Sequence, residues 1–140
     1  MRLLGLDYGS VTVGVAVSDP LGMTAQALET ITRDKENHLR STMRRLEELA
    51  SAYAVEGIVL GFPLNMDDTI GDRAQKTLAF KDQLEKRLQV PVFLCDERLT
   101  TVEADEALQE MGVPKSERKK YIDKIAAAII LQGYLNERAK

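Results

Sequence analysis

One cysteine and one histidine stand among the 140 residues, and those two scarcities remove whole classes of chemistry before any motif is read. A lone Cys95 leaves no internal disulfide, and one thiol with one imidazole cannot complete the usual four-ligand zinc site. Cys95 closes the apolar run VPVFLC, so it is expected to be a small buried hydrophobe and not a nucleophile. No apolar stretch is long enough to span a bilayer, which predicts no membrane partner. The start, MRLLGLDYG, carries one basic residue and no small-residue cleavage site; it reads as a strand, not a signal peptide, and the expected location is the cytoplasm. An excess of positive charge is also lacking: 19 Lys and Arg against 22 Asp and Glu give a net charge of -3. That balance counts against a binder of nucleic acid that works by global charge alone. No fixed-period repeat, low-complexity stretch or linker breaks the chain, so a single domain over residues 1–140 is expected.

What is present is a run of patterned elements. Leu3, Leu4 and Leu6 predict a buried strand, Gly9 a tight reversal, and Val11, Val13, Val15 and Val17 an alternating second strand. Residues 24–32 (TAQALETIT) alternate loosely as a third. Asp34 is the expected N-cap of a helix whose stripe is Leu39, Met43, Leu46 and Ala50. GIVLGFP at 57–63 is a continuous apolar run, the pattern of a strand buried on both faces. Thr69 with Asp72 predicts a capping box for a helix through about Leu88, with Ala74, Leu78 and Leu84 inside. VPVFLC forms the fifth strand. Thr100 with Glu103 predicts another capped helix, closed by Gly112 and Pro114, and the last helix runs from about Arg118 to Glu137. The order βββαβαβαα implies an α/β fold in which strands 1, 4 and 5 run parallel.

Three acids stand out in that frame. Asp7 sits at a strand end beside a hairpin, where an acid at the edge of a core needs a partner, a metal ion or an Asx-type turn. Asp123 shares an inward stripe with Ala127, Ile130 and Tyr134 near the start of the last helix. Glu97 follows the fifth strand, and Asp96 competes with it; the longer Glu97 reaches further from an outer strand. Carboxylates converging from distant elements are what hard cations require, and phosphodiester hydrolysis on two ions about 3.5–4 Å apart needs several such oxygens. Mg²⁺ or Mn²⁺ is the expected cofactor, with Asp7, Glu97 and Asp123 as both metal and catalytic residues. Asp67 and Asp68 read as turn and cap chemistry. Arg73 and Arg98, after strands 4 and 5, are candidates for gripping phosphate, as are Lys119 and Lys120 for tracking a nucleic-acid backbone together with Lys115 and Arg118. The cluster Arg40, Arg44 and Arg45 reads instead as a solvated helix face.

These residues resemble the YqgF/RuvX family, pre-16S rRNA nucleases that look like Holliday-junction resolvases of the RNase H-like superfamily. The likeness covers nearly the whole chain and rests on LDYGSVTVGVAVSD at 6–19, GFPLNMDDTIGDRA at 61–74, DERLTT at 96–101 and KIAAAIILQGYL at 124–135. It implies a five-stranded mixed sheet ordered 3-2-1-4-5 with flanking helices, a divalent-metal nuclease site at Asp7, Glu97 and Asp123, and a cytoplasmic role in maturing the 5' end of small-subunit ribosomal RNA. On that reading Asp7 bridges two ions and orients the attacking water while Glu97 and Asp123 hold one ion each. Strand 4 ends in GFPLN, without the acid that true resolvases carry there, and the loop lacks the glycine that commonly follows its first Asp.

Three rivals are distinguishable. The chain is expected to be a monomer or a homodimer, and branched DNA could replace RNA as substrate, which would require two sites related by symmetry. A non-catalytic RNA or ribosome-assembly module could keep the acids for stability. Sugar kinases and chaperone-type ATPases share D-x-G-x-x-x-x-G but need two such domains to clamp nucleotide, and this chain has room for one.

Overall fold

The computed structural model describes residues 1–65, 67, 69–97 and 100–139, leaving aside the side chain of Thr101. Five strands, β1 (Leu3–Tyr8), β2 (Thr12–Ser18), β3 (Ala25–Thr32), β4 (Gly57–Phe62) and β5 (Val92–Asp96), form one sheet ordered β3-β2-β1-β4-β5. β1 to β3 pair antiparallel, and β1, β4 and β5 run parallel. The C-terminal ends of the three parallel strands therefore open at one edge, where ligands gather in open α/β sheets.

Alternation along the strands sends two different sets of side chains to the two faces. Leu4, Leu6, Tyr8, Val13, Val15 and Val17 meet α1 (Arg40–Ala52) and α2 (Asp72–Leu88) through Met43, Leu46, Phe80 and Leu84. On the opposite face Leu3, Ala16 and Val59 meet α5 (Ile122–Arg138) through Ala127, Ile130, Leu131 and Leu135. The α5 side is lined by small residues for a steric reason. A Cβ at Gly5 would lie 2.6 Å from Leu131 Cβ, and one at Gly14 would overlap the backbone carbonyl of Asp123. Backbone on backbone contact of this kind sets the start of α5 directly above the β1–β2 ladder. α3 (Thr100–Glu110) buries Ala104 and Leu108, and a short α4 (Lys115–Arg118) leads into α5.

Several local expectations give way to different chemistry. Asp34 does not cap α1: its carboxylate lies 2.9 Å from His38 Nδ1, and the helix begins six residues on, behind Leu39. Thr69 spends its hydroxyl on Asp67 Oδ1 at 2.6 Å, so α2 starts behind Gly71. Thr100 is the first residue of α3, not its cap, and Asp68 and Leu99 lie outside the described residues. The last helix starts at Ile122 because α4 forms a separate turn before it. In α2 the inward positions include Thr77 and Phe80, not Leu78. Cys95 is half-buried, with Sγ 3.8 Å from the Ile130 carbonyl, and burial with nearby acids pushes its thiol up, away from nucleophilic use. Gly9 reverses the chain without a left-handed φ; its amide donates to Thr12 O at 2.7 Å, and a Cβ there would lie 3.0 Å from Thr12 Oγ1. None of the described helices is long and apolar enough to cross a membrane.

Candidate metal and nucleic-acid site

Asp7 is the penultimate residue of β1 and alternates with Tyr8, so its side chain takes the α5 face of the sheet while Tyr8 enters the opposite core. Its cross-strand partner is Gly14, and Gly14 is the residue pressed against the Asp123 carbonyl. The sheet register thus brings the first strand and the last helix together at one point. Glu97 arrives from the far side. Its amide donates to Phe62 O at 3.2 Å as β5 ends, and its side chain folds back over Gly61 of β4. A Cβ at Gly61 would stand 2.5 Å from Glu97 Oε2, so the missing side chain is the space the carboxyl occupies. Strand 4 contributes no acid of its own, and an acid from beyond β5 reaches across it to Asp7.

The Asp7 and Glu97 carboxyls are hydrogen-bonded to each other. Burial, then the charge of Asp7 and the bond to it, push the Glu97 carboxyl up to about 9. Burial also raises Asp7, and the charge of Asp123 adds to that, while the bond to Glu97 and the Arg73 guanidinium pull it down. Two buried carboxyls this close hold one proton between them, because both cannot be ionised without a counter-charge. A divalent cation is such a counter-charge, and the donors are all hard carboxylate oxygens, which fits Mg²⁺ or Mn²⁺ and not a thiophilic metal. Among the described residues no three His, Cys, Asp or Glu side chains are already gathered at metal-holding distance. Asp7 and Glu97 form a pair, and Asp123 stands within electrostatic reach of Asp7.

The basic residues divide. Arg73, in the first turn of α2, acts on both paired acids and stacks 4.9 Å over the Tyr8 ring. Its Nη1 donates to Glu36 Oε1 at 2.5 Å, and its buried Nε and Nη2 have no hydrogen-bond partner. Lys119 and Lys120 are exposed in the turn between α4 and α5, close in sequence to Asp123. Arg118 is committed to the fold through Val113 O at 3.0 Å and Asp105 at 3.5 Å. Asp67 serves its turn, as expected, and Arg98 lies outside the described residues.

Sequence reasoning missed Arg33. It is 8 % exposed, its Nη2 donates to Gly9 O at 2.6 Å and its guanidinium sits 5.0 Å over Tyr8. The signal was available: Ile31 faces inward, and alternation carries residue 33 to the same face.

Residues 1–137 match the RuvX family, described as Holliday junction resolvase. The chain belongs to the RuvX family. A relative from Lachnospira eligens is 56% identical over 140 residues, the whole of both chains, and one from Acetivibrio thermocellus is 49% identical over 141 residues, covering 100% of this chain and 99% of its own. Both carry the name "Putative pre-16S rRNA nuclease". Among solved structures this RuvX chain resembles T. thermophilus RuvC in complex with a Holliday junction substrate, at a TM-score of 0.60 and 16% identity over 99% of this chain and 96% of that one. Fowlpox virus resolvase with Holliday junction DNA aligns over 100% of both chains at a TM-score of 0.61 and 13% identity. At such identities the likeness is one of architecture, and the RuvX chain has the RNase H-like fold of those resolvases.

Proposed function

We propose that this RuvX-family chain is a divalent-metal-dependent endonuclease that hydrolyses phosphodiester bonds and matures the 5' end of pre-16S rRNA in the cytoplasm. The observation that carries the reading is the proton-sharing Asp7–Glu97 pair at the open edge of the sheet, with Asp123 above it and a guanidinium beside it. The names borne by relatives at about 50% identity over their full length direct the choice of RNA.

Asp7, Glu97 and Asp123 would hold the cation. Bound there, Mg²⁺ or Mn²⁺ supplies Lewis-acid activation of water and neutralises charge on the phosphate. Asp7 lies at the junction of both neighbours, and Glu97 would have to release the proton it shares with Asp7 for its carboxylate to serve as a ligand. Arg73, with two unpartnered donors next to the acids, grips a non-bridging phosphate oxygen. Exposed Lys119 and Lys120 meet the backbone further along. Water adds to phosphorus and the ester oxygen leaves with a proton, so no side chain becomes covalently attached.

Branched DNA is the second reading, favoured by the two junction-bound resolvases that share the fold. A precursor-RNA fragment and a four-way DNA junction, incubated with Mn²⁺ beside the Asp123→Asn protein, separate the two. Cleavage of RNA that the variant loses supports the proposal. Equal cleavage by the variant exposes a contaminant, and cutting confined to the junction transfers the function to DNA, through a homodimer with two symmetric sites and not a monomer.

A further inference from the structure

The cluster at the start of α1 is not a uniform solvated face. Arg45 is paired, with Nη2 2.7 Å from Glu29 Oε1 and Nη1 3.3 Å from Glu48 Oε2. Arg40 and Arg44 are exposed and, among the described residues, have no ion-pair partner. Both line a cavity of about 760 Å³ together with Arg33, Asp34, His38 and Ser41. Asp34, the acid in that lining, is engaged by His38 at 2.9 Å.

Two independent features give the cavity affinity for anions. The 13-residue helix α1 opens into it with no side-chain cap on Leu39 and no acid in its first turn, leaving its leading amides and the positive end of its dipole unopposed. Arg33, buried in the cavity wall, carries an Nη1 with no hydrogen-bond partner, although its Nε and Nη2 are satisfied by the carbonyls of Glu36 and Gly9. An unpaired buried guanidinium donor is costly unless an anion completes it.

Arg33 and Arg73 both lie against Tyr8, the neighbour of Asp7, and both keep unpartnered donors. We infer that this basic cavity is a second phosphate-binding subsite, which takes the backbone of the nucleic-acid strand as it leaves the acids past the hairpin of residues 9–12. Arg33, Arg40 and Arg44 line it together with the start of α1. The inference rests on the nuclease reading for its substrate. On this reading a chain of net charge -3 holds a polyanion through local clusters of basic groups and not through its total charge.

The test is the double variant R40Q/R44Q, whose positions are exposed and outside the core. Affinity for a precursor-RNA fragment is measured by fluorescence anisotropy over a range of salt, and Mn²⁺-dependent hydrolysis of bis(4-nitrophenyl) phosphate is followed in parallel. The expected result is a salt-dependence slope shallower by about 1.4–1.8, from two lost phosphate contacts, with small-diester hydrolysis unchanged. A slope equal to wild type overturns the subsite, whatever the diester assay shows. A wild-type protein inert toward the diester whose slope still falls on mutation supports the subsite and removes the hydrolytic reading instead.

Discussion

Replacing Gly61 by alanine adds one methyl group at the place where the site is tightest. That Cβ would stand 2.5 Å from Glu97 Oε2, 2.7 Å from Ile130 Cδ1 and 2.8 Å from Glu97 Cδ. All three are ends of flexible side chains, so the sheet and helix need not move. The Glu97 carboxyl must retreat by about 1 Å to reach ordinary van der Waals spacing, and it retreats from Asp7. Overpacking of this kind costs about 1 kcal/mol, or a fall in Tm of about 2–4 °C for a chain of this size. Misplacing a reacting group by about 1 Å costs about 100-fold in rate. The expected phenotype is therefore a folded protein with weakened Mn²⁺ binding by calorimetry and RNA cleavage reduced by about two orders of magnitude. Gly14→Ala is the contrasting control: its methyl would meet the Asp123 backbone, which cannot swing aside, so it should cost about 3 kcal/mol or more. Wild-type cleavage and Mn²⁺ affinity in Gly61→Ala would refute the placement of Glu97 over β4, and global unfolding would refute the claim that only side-chain ends obstruct the methyl.

The pH dependence of stability follows from the same pair. Glu97 is raised from 4.5 to about 9, so the folded chain holds the proton more tightly than the unfolded one; the associated stability is complete below 4.5 and is lost as pH climbs through about 9. Thermal melts in chelator should show wild type weakening across that window and Glu97→Gln staying flatter, with a parallel decline in both disproving the assignment. Asp7→Asn should weaken Mn²⁺ binding by about tenfold or more by calorimetry, since it removes the proposed central ligand, and an unchanged Kd would remove Asp7 from the proposed metal site. Arg73→Lys keeps the charge near the acids but loses the planar fork; KM for RNA should rise about tenfold with Mn²⁺ affinity preserved, and an unaltered KM would show that Arg73 does not grip substrate.

Period and polarity made the sheet readable in advance. Leu4, Leu6, Val13, Val15 and Val17 alternate cleanly and all reach the core. Residues 24–32 alternate only loosely for a structural reason: the β2–β3 register shifts at Val15/Ala16, and Leu28 is the extra residue between Ala27 and Glu29. Helix starts were less legible, because Asp34, Thr69 and Thr100 have the right side chains for caps and two of them are drawn into other bonds, to His38 and Asp67. At the candidate site, type and position singled out Asp7, Glu97 and Asp123, and the structure pairs the first two with Asp123 in electrostatic reach of Asp7. Gly14 and Gly61 were not legible, since a glycine's importance lies in what packs against it; alternation from Ile31 could have placed Arg33 inward, but its neighbours Gly9 and Tyr8 come from the fold.

The proposed centre draws on elements far apart in sequence, Asp7 in β1 and Asp123 in α5. During translation β1 and its hairpin emerge before α5, which roofs one side of the sheet. A chain not yet extended through α5 therefore lacks both the proposed third carboxylate and the helix that carries it. The proposed centre can therefore assemble only after α5 has been made.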